Sequence, residues 1–174
     1  RSLSLVPFVT VSPMAQWDAQ NSTQWRIDMW KVLIPQVPKY LIKGKGYAID
    51  PTESYLIQES LKRGLAASYE GALVAGDYHN GPLSVIIPFG LFGLLFFLWF
   101  CAAGAWVVYR NYRFGMPELR LVNTFLCSYY LTKILYFLFL YGALNNDLVT
   151  LTALVGLSVA CNGGVCRRPA PAAS

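Results

Sequence analysis

The sequence predicts an all-α integral membrane protein, and three observations carry that expectation. From Leu83 to Tyr109 no residue is charged, a run long enough to cross a bilayer as a helix with some tilt. Two further apolar segments follow, Leu121–Leu144 and Leu148–Cys166. Only 13% of the 174 residues are charged, where a soluble domain carries about 25%. That deficit, with a mean hydropathy of +0.41, excludes an ordinary soluble globule. The expected organisation is a loop region with short amphipathic helices over 1–81, a transmembrane region over 82–166 and a tail over 167–174. The spans are expected at 83–109, 121–144 and 148–166.

Along the loop region, Pro7 and Pro13 break residues 1–18 into extended chain. Asn21-Ser22-Thr23 offers an N-cap to a helix over Gln24–Ile34, with Trp25, Met29 and Val32 sharing a face. Pro35 and Pro38 are expected to interrupt it, and Gly44-Lys45-Gly46 marks a turn. Asp50-Pro51-Thr52-Glu53 is a helix start: a capping carboxylate, proline at the first helical position and Glu at the third. That helix should run to about Arg63 and stop at Gly64, with a weaker stretch over Ala66–Val74. In the first span a kink is expected at Pro88, and Asn162-Gly163-Gly164 weakens the end of the third.

Charge sets the topology. Arg110, Arg113 and Arg120 face only Glu118 between the first two spans, and Arg167 and Arg168 follow the third. Short basic loops stay in the cytoplasm, so His79 and everything before it are expected on the outer side. The net charge of +5 is otherwise scattered and gives no reason to expect nucleic acid. The chain begins at Arg1 without a signal-peptide pattern and reads as the C-terminal part of a longer protein with further spans. Cys101 and Cys127 fall inside spans, and Cys161 and Cys166 lack zinc-ligand spacing; neither a metal centre nor a disulfide framework is expected.

The single histidine, His79, stands at the mouth of the first span. By itself His79-Asn80-Gly81-Pro82 reads as a polar cap on a membrane helix. The spacing beyond it raises a second reading: His79-Asn80, nine residues, Gly90, two residues, Gly93. A neutral imidazole, with an ordinary pKa near about 6.5, accepts a proton at neutral pH, and Gly90 and Gly93 suit a close-packing helix face. Upstream, Arg26 offers a guanidinium that can hold diphosphate oxygens in bidentate fashion without a metal. Its ordinary reading is a surface charge paired with Asp28. Arg63 is a weaker anion ligand, more simply a solvated helix end. Lys133, near the middle of the second span, costs about 2.5–3.5 kcal/mol to insert. It is expected to face the bundle interior, paired with an acid from spans outside this chain or, in the sharper reading, touching a lipid diphosphate. Tyr129 and Tyr136 stand at helical spacing from it.

The histidine–glycine spacing resembles the signature of the O-antigen ligase family, bacterial membrane glycosyltransferases related to O-antigen polymerases and some protein O-oligosaccharyltransferases. Ser22-Thr23-Gln24-Trp25-Arg26, then Trp30, then Gly44-Lys45-Gly46 looks like that family's arginine-bearing loop helix and Gly-x-Gly turn. The resemblance implies a multi-span GT-C-like helical bundle with a large periplasmic loop in a Gram-negative inner membrane. It implies metal-independent transfer, without a cofactor, from a polyprenyl-diphosphate-linked glycan to a lipid A core, another glycan or a protein. His79 would be the catalytic base or the orienter of the acceptor hydroxyl, with Arg26, Asn80, Arg63 and Lys133 toward the substrate. The fragment without its other spans is expected to be inactive. No D-x-D pair for a nucleotide-sugar metal occurs, which agrees with a lipid-linked donor. The competing class is a transporter or an envelope-assembly subunit, which a mid-membrane lysine favours.

Overall fold

The structure, a computed structural model, describes residues 24, 26–47, 51–62 and 78–167. The expected loop over 1–18, the cap at 21–23, Asp50, Arg63 and the stretch over 66–74 lie outside them. Among the described residues the regular elements are all helical. Helix α1 covers 26–33; a 3₁₀ turn, Ile34–Gln36, and a four-residue α2, Val37–Tyr40, continue it. Pro35 and Pro38 end the α-helix as expected, while the chain keeps a helical path through the 3₁₀ turn and α2. Each sits in the first two positions of its short helix, where the missing N–H has no helical partner to lose. Helix α3 is described over Pro51–Lys62, inside the expected helix, and Arg63 lies outside the described residues.

Among the described residues three helices are long and apolar enough to cross a membrane, so the chain is a membrane protein: α4 (Gly81–Phe114), α5 (Arg120–Phe139) and α6 (Leu144–Asn162). They pack as an antiparallel bundle around Phe97, Val108, Leu126, Tyr130, Phe137 and Leu151, held by van der Waals packing, since lipid is as apolar as these side chains. Gly104 lets α5 approach, since a β-carbon there would collide with the Tyr130 hydroxyl; that hydroxyl donates to the Cys101 carbonyl at 3.2 Å. Of the expected aromatic stripe, Phe97 is buried against Phe137, with ring centroids 4.8 Å apart, while Phe96 and Trp99 are exposed.

The span boundaries move, for local reasons. Helix α4 continues past Tyr109 to Phe114, ending where the Gly115 N–H bonds the Asn111 carbonyl at 2.9 Å. Helix α5 ends at Phe139 because Leu140 and Tyr141 both donate to the Tyr136 carbonyl. Helix α6 starts four residues early, at Leu144, and ends at Asn162 with Gly163 in the left-handed conformation (φ 65°), the usual glycine stop.

Buried amides tie the basic end together. Asn111 donates to both the carbonyl and the hydroxyl of Ser158, at 3.1 and 2.9 Å, and accepts from Cys166 N–H at 2.8 Å. Asn123 and Asn162 exchange amide hydrogen bonds at 3.0 and 2.8 Å.

The largest departure from expectation lies in α4. The kink is a full break at Gly90 (φ 68°, ψ −164°), two residues beyond Pro88. A break leaves backbone groups that a membrane interior cannot satisfy, and here the loop region supplies their partners. Lys45 N–H donates to the Ile87 carbonyl and Gly46 N–H to the Pro88 carbonyl, both at 2.9 Å; Leu91 N–H donates to the Leu41 carbonyl at 2.6 Å. Gly90 and Gly93 therefore do not form a close-packing helix face. A β-carbon on Gly90 would strike the Ile42 carbonyl, one on Gly93 the Phe89 β-carbon, and one on Gly44 the Pro88 carbonyl. These glycines permit the break and the turn that seals it.

Candidate functional site at the His79 end of the bundle

Asn80 is the N-cap of α4: its side-chain oxygen accepts from Leu83 N–H at 3.1 Å. The capping role thus belongs to Asn80, leaving the imidazole of His79 outside it. His79 is the sole non-glycine residue with positive φ (52°) among the described residues, a conformation costing about 1 kcal/mol and enriched at functional sites.

Small residues then draw the α5–α6 connection onto that mouth. A β-carbon on Gly81 would strike the Phe137 carbonyl, and one on Gly142 would come 2.8 Å from the Gly81 α-carbon. Ser84 donates to the Gly81 carbonyl at 2.7 Å and accepts from Leu144 N–H at 3.2 Å, joining the starts of α4 and α6. This close approach sets Tyr141 beside His79. The Tyr141 hydroxyl lies 3.1 Å from His79 Nδ1, and the rings stack with centroids 5.3 Å apart and 23° between planes.

The same tyrosine receives Arg26, whose guanidinium carbon lies 5.2 Å from the Tyr141 ring centroid, within cation–π range. Helix α1 is held there by a second cluster, in which Met29 and Leu33 pack with Leu56, Tyr78, Leu83 and Ile87. Trp30 Nε1 donates to the Tyr78 carbonyl at 2.9 Å, next to His79 in the chain. Arg26 lies one turn before Met29 and Trp30, so its side chain leaves the helix on the same side. Asp28, its expected surface partner, accepts from Gln24 at 3.0 Å and pairs with Lys31 at 3.8 Å.

Lys133 belongs to the same end but is occupied. Its ammonium lies 2.7 Å from Asp147 Oδ1, and Asp147 Oδ2 accepts from Ala143 N–H at 2.9 Å. The expected partner from spans beyond this chain is therefore corrected to an acid in the first turn of α6, where a carboxylate also meets the positive helix end. Tyr136 brings its ring to 5.7 Å from the ammonium and 6.2 Å from the Tyr141 ring. Tyr129 instead stacks on Phe125 at 5.7 Å.

The chain matches no family model, no curated protein and no solved structure. The site therefore stands on its geometry. That geometry joins His79, Tyr141 and Arg26, and it extends through Tyr136 to the Lys133–Asp147 pair. Arg63 lies outside the described residues. Among those residues no group of three or more His, Cys, Asp or Glu comes together as a metal-ligand set.

Two site residues escaped sequence reasoning. Tyr141 falls within the expected apolar span 121–144 and looks like one more interfacial aromatic; only Gly142 after it hints at a chain turn. Asp147 falls just outside the expected span 148–166 and so reads as loop, although its spacing from Ala143 is that of a first-turn acid.

Proposed function

We propose that this chain forms the outer face of a membrane glycosyltransferase of the O-antigen ligase type. The reaction transfers a glycan from a polyprenyl-diphosphate carrier to an acceptor hydroxyl on the periplasmic side of a Gram-negative inner membrane. The observation that carries the reading is the meeting of Arg26 and His79 at Tyr141, although 53 positions of sequence separate them. Such a transfer needs a group to accept or orient the acceptor proton and a cation to hold the departing diphosphate. An imidazole and a guanidinium supply these without a metal. Their place at the mouth of an apolar helix suits a donor whose reactive head lies at the membrane surface and whose tail lies in lipid. Lys133, drawn to Asp147, contributes to the electrostatics of the site more than to direct contact. Ligase, polymerase and protein transferase share the chemistry and differ in acceptor.

The test uses the full-length protein in a strain deleted for its gene, comparing wild type with His79→Ala and Arg26→Ala at matched membrane levels. Glycan on the acceptor and glycan on the polyprenyl carrier are blotted. Loss of transfer with long lipid-linked chains accumulating supports a ligase, and accumulation of single repeat units supports a polymerase. Unchanged glycans in both variants would overturn the reading and put a transporter or assembly subunit first.

A further inference from the structure

Tyr141 is the residue that nothing in the histidine–glycine spacing announces, yet it touches both candidate residues. Its hydroxyl is 3.1 Å from His79 Nδ1, so one of the two groups donates and the other accepts. The Arg26 cation over the ring draws electron density from the phenol. This makes the O–H a better donor, and it favours donation to an unprotonated Nδ1. The proton of neutral His79 then sits on Nε2. In that arrangement the lone pairs of Tyr141 Oη are the acceptors next to the imidazole base.

We propose that Tyr141 is a catalytic proton relay, its hydroxyl receiving the acceptor's proton while passing its own to His79 Nδ1. The inference rests on the transferase reading above. In the step, the acceptor O–H proton moves to Tyr141 Oη as the phenolic proton moves to Nδ1. The acceptor oxygen forms the new bond to the anomeric carbon of the donor glycan. The bond from that carbon to the diphosphate oxygen breaks, its electron pair leaving on the diphosphate. His79 ends as imidazolium and returns the proton to water or to the released diphosphate. Arg26 stabilises the partial negative charge that develops on the phenol during the transfer. The stacked rings fix the Oη–Nδ1 geometry, which is the alignment a concerted double proton transfer requires.

Two readouts test it. The first is imidazole ¹⁵N spectroscopy of the full-length protein in lipid nanodiscs, labelled at histidine, with His79→Gln identifying the signal by difference. The relay requires the Nε2–H tautomer with Nδ1 accepting a hydrogen bond, and a Nδ1 signal that moves in Tyr141→Phe. A wild-type imidazole protonated on Nδ1 overturns it. Tyr141→Phe keeps the ring that Arg26 and His79 both touch, so the site is disturbed only at one oxygen. The second readout is transfer kinetics with undecaprenyl-diphosphate-linked glycan as donor. Tyr141→Phe should lower kcat by about 10²-fold with KM little changed. The double variant His79→Gln/Tyr141→Phe should be no slower than His79→Gln alone, because the two act as one unit. Normal kcat in Tyr141→Phe, or multiplicative losses in the double variant, refutes the relay. A wild type that transfers with Nδ1 protonated refutes only the relay; a wild type that transfers no glycan refutes the transferase reading and the relay with it.

Discussion

Replacing Gly90 by Ala should detach the loop region from the bundle without unfolding the span. Gly90 occupies a region of φ and ψ (68°, −164°) that is essentially reserved for glycine, and a residue forced into such a region costs about 1–3 kcal/mol. The new β-carbon would also strike the Ile42 carbonyl. The alternative is a straighter α4, in which the Ile87 carbonyl takes Leu91 N–H back as its helical partner. That route gives up the three bonds that seat the turn, from Lys45 and Gly46 into α4 and from Leu91 to Leu41. At about 0.5–1.5 kcal/mol net each, the turn loses roughly 1.5–4.5 kcal/mol by this route. Either way the docked turn weakens by about 2–3 kcal/mol, a roughly 30- to 150-fold rise in its open population. Trypsin cleavage after Lys43 and Lys45 in membranes reads that population directly, since cleavage of a rapidly opening segment follows its equilibrium. Gly156→Ala is the control, because nothing lies within 4 Å of a β-carbon there. Cleavage of Gly90→Ala at the Gly156→Ala rate would refute the argument that the turn seals the break.

Other perturbations follow from the same contacts. Lys133→Met leaves Asp147 buried without its cation and should cost about 3–5 kcal/mol, seen as a lower unfolding temperature in detergent. K133M/D147N should recover most of it, since Asn still accepts from Ala143 N–H; an unchanged single variant would refute the ion pair. Asn123→Leu removes both amide bonds to Asn162 at the basic end, leaving Asn162 its bond to the Ser158 carbonyl, and should cost about 2 kcal/mol in the same assay, with no loss sinking the idea that these amides brace the bundle. Gly142→Ala pushes a β-carbon to 2.5 Å from the Phe137 ring and shifts Tyr141, so transfer should fall by at least about tenfold at normal membrane levels. Full transfer in that variant would show that the Tyr141 contact is dispensable.

The spans were legible because apolarity over twenty or so residues needs no tertiary information. Their ends were not, since each is set by a contact across the fold: α4 at Gly115 against Asn111, α5 at the shared Tyr136 carbonyl, α6 by Ser84 and Asp147 at its start. His79 and Arg26 stood out as chemistry-bearing types, but their meeting depends on Gly81 and Gly142, whose role is to be small. Composition could not pair Lys133 with Asp147, because the acid lay one residue outside the expected third span. Gly44-Lys45-Gly46 reads correctly as a turn. What a turn of that shape is for emerges only when a helix about 45 positions later breaks at Gly90 and needs its donors.

The two ends of the bundle are built by different means, and the difference bears on function. At the basic end the buried side-chain amides of Asn111, Asn123 and Asn162 lock three helices together. At the His79 end much of the order comes from close backbone approaches, Gly81 on Gly142 and the turn over 41–46 on the break at Gly90, with the Ser84 hydroxyl tying Leu144 N–H. Such contacts leave the aromatic and charged side chains of Arg26, His79, Tyr136 and Tyr141 as the facing groups of the mouth. They also make the position of Arg26 depend on a site about 13 Å down the helix axis, nine residues at 1.5 Å each. A substitution at the break should therefore disturb a guanidinium it never touches. Comparing Gly90→Ala with Arg26→Ala in the same transfer assay measures that dependence: matching losses mean the turn holds Arg26 in place, and intact transfer with a detached turn means α1 is held by the Met29–Tyr78 cluster alone.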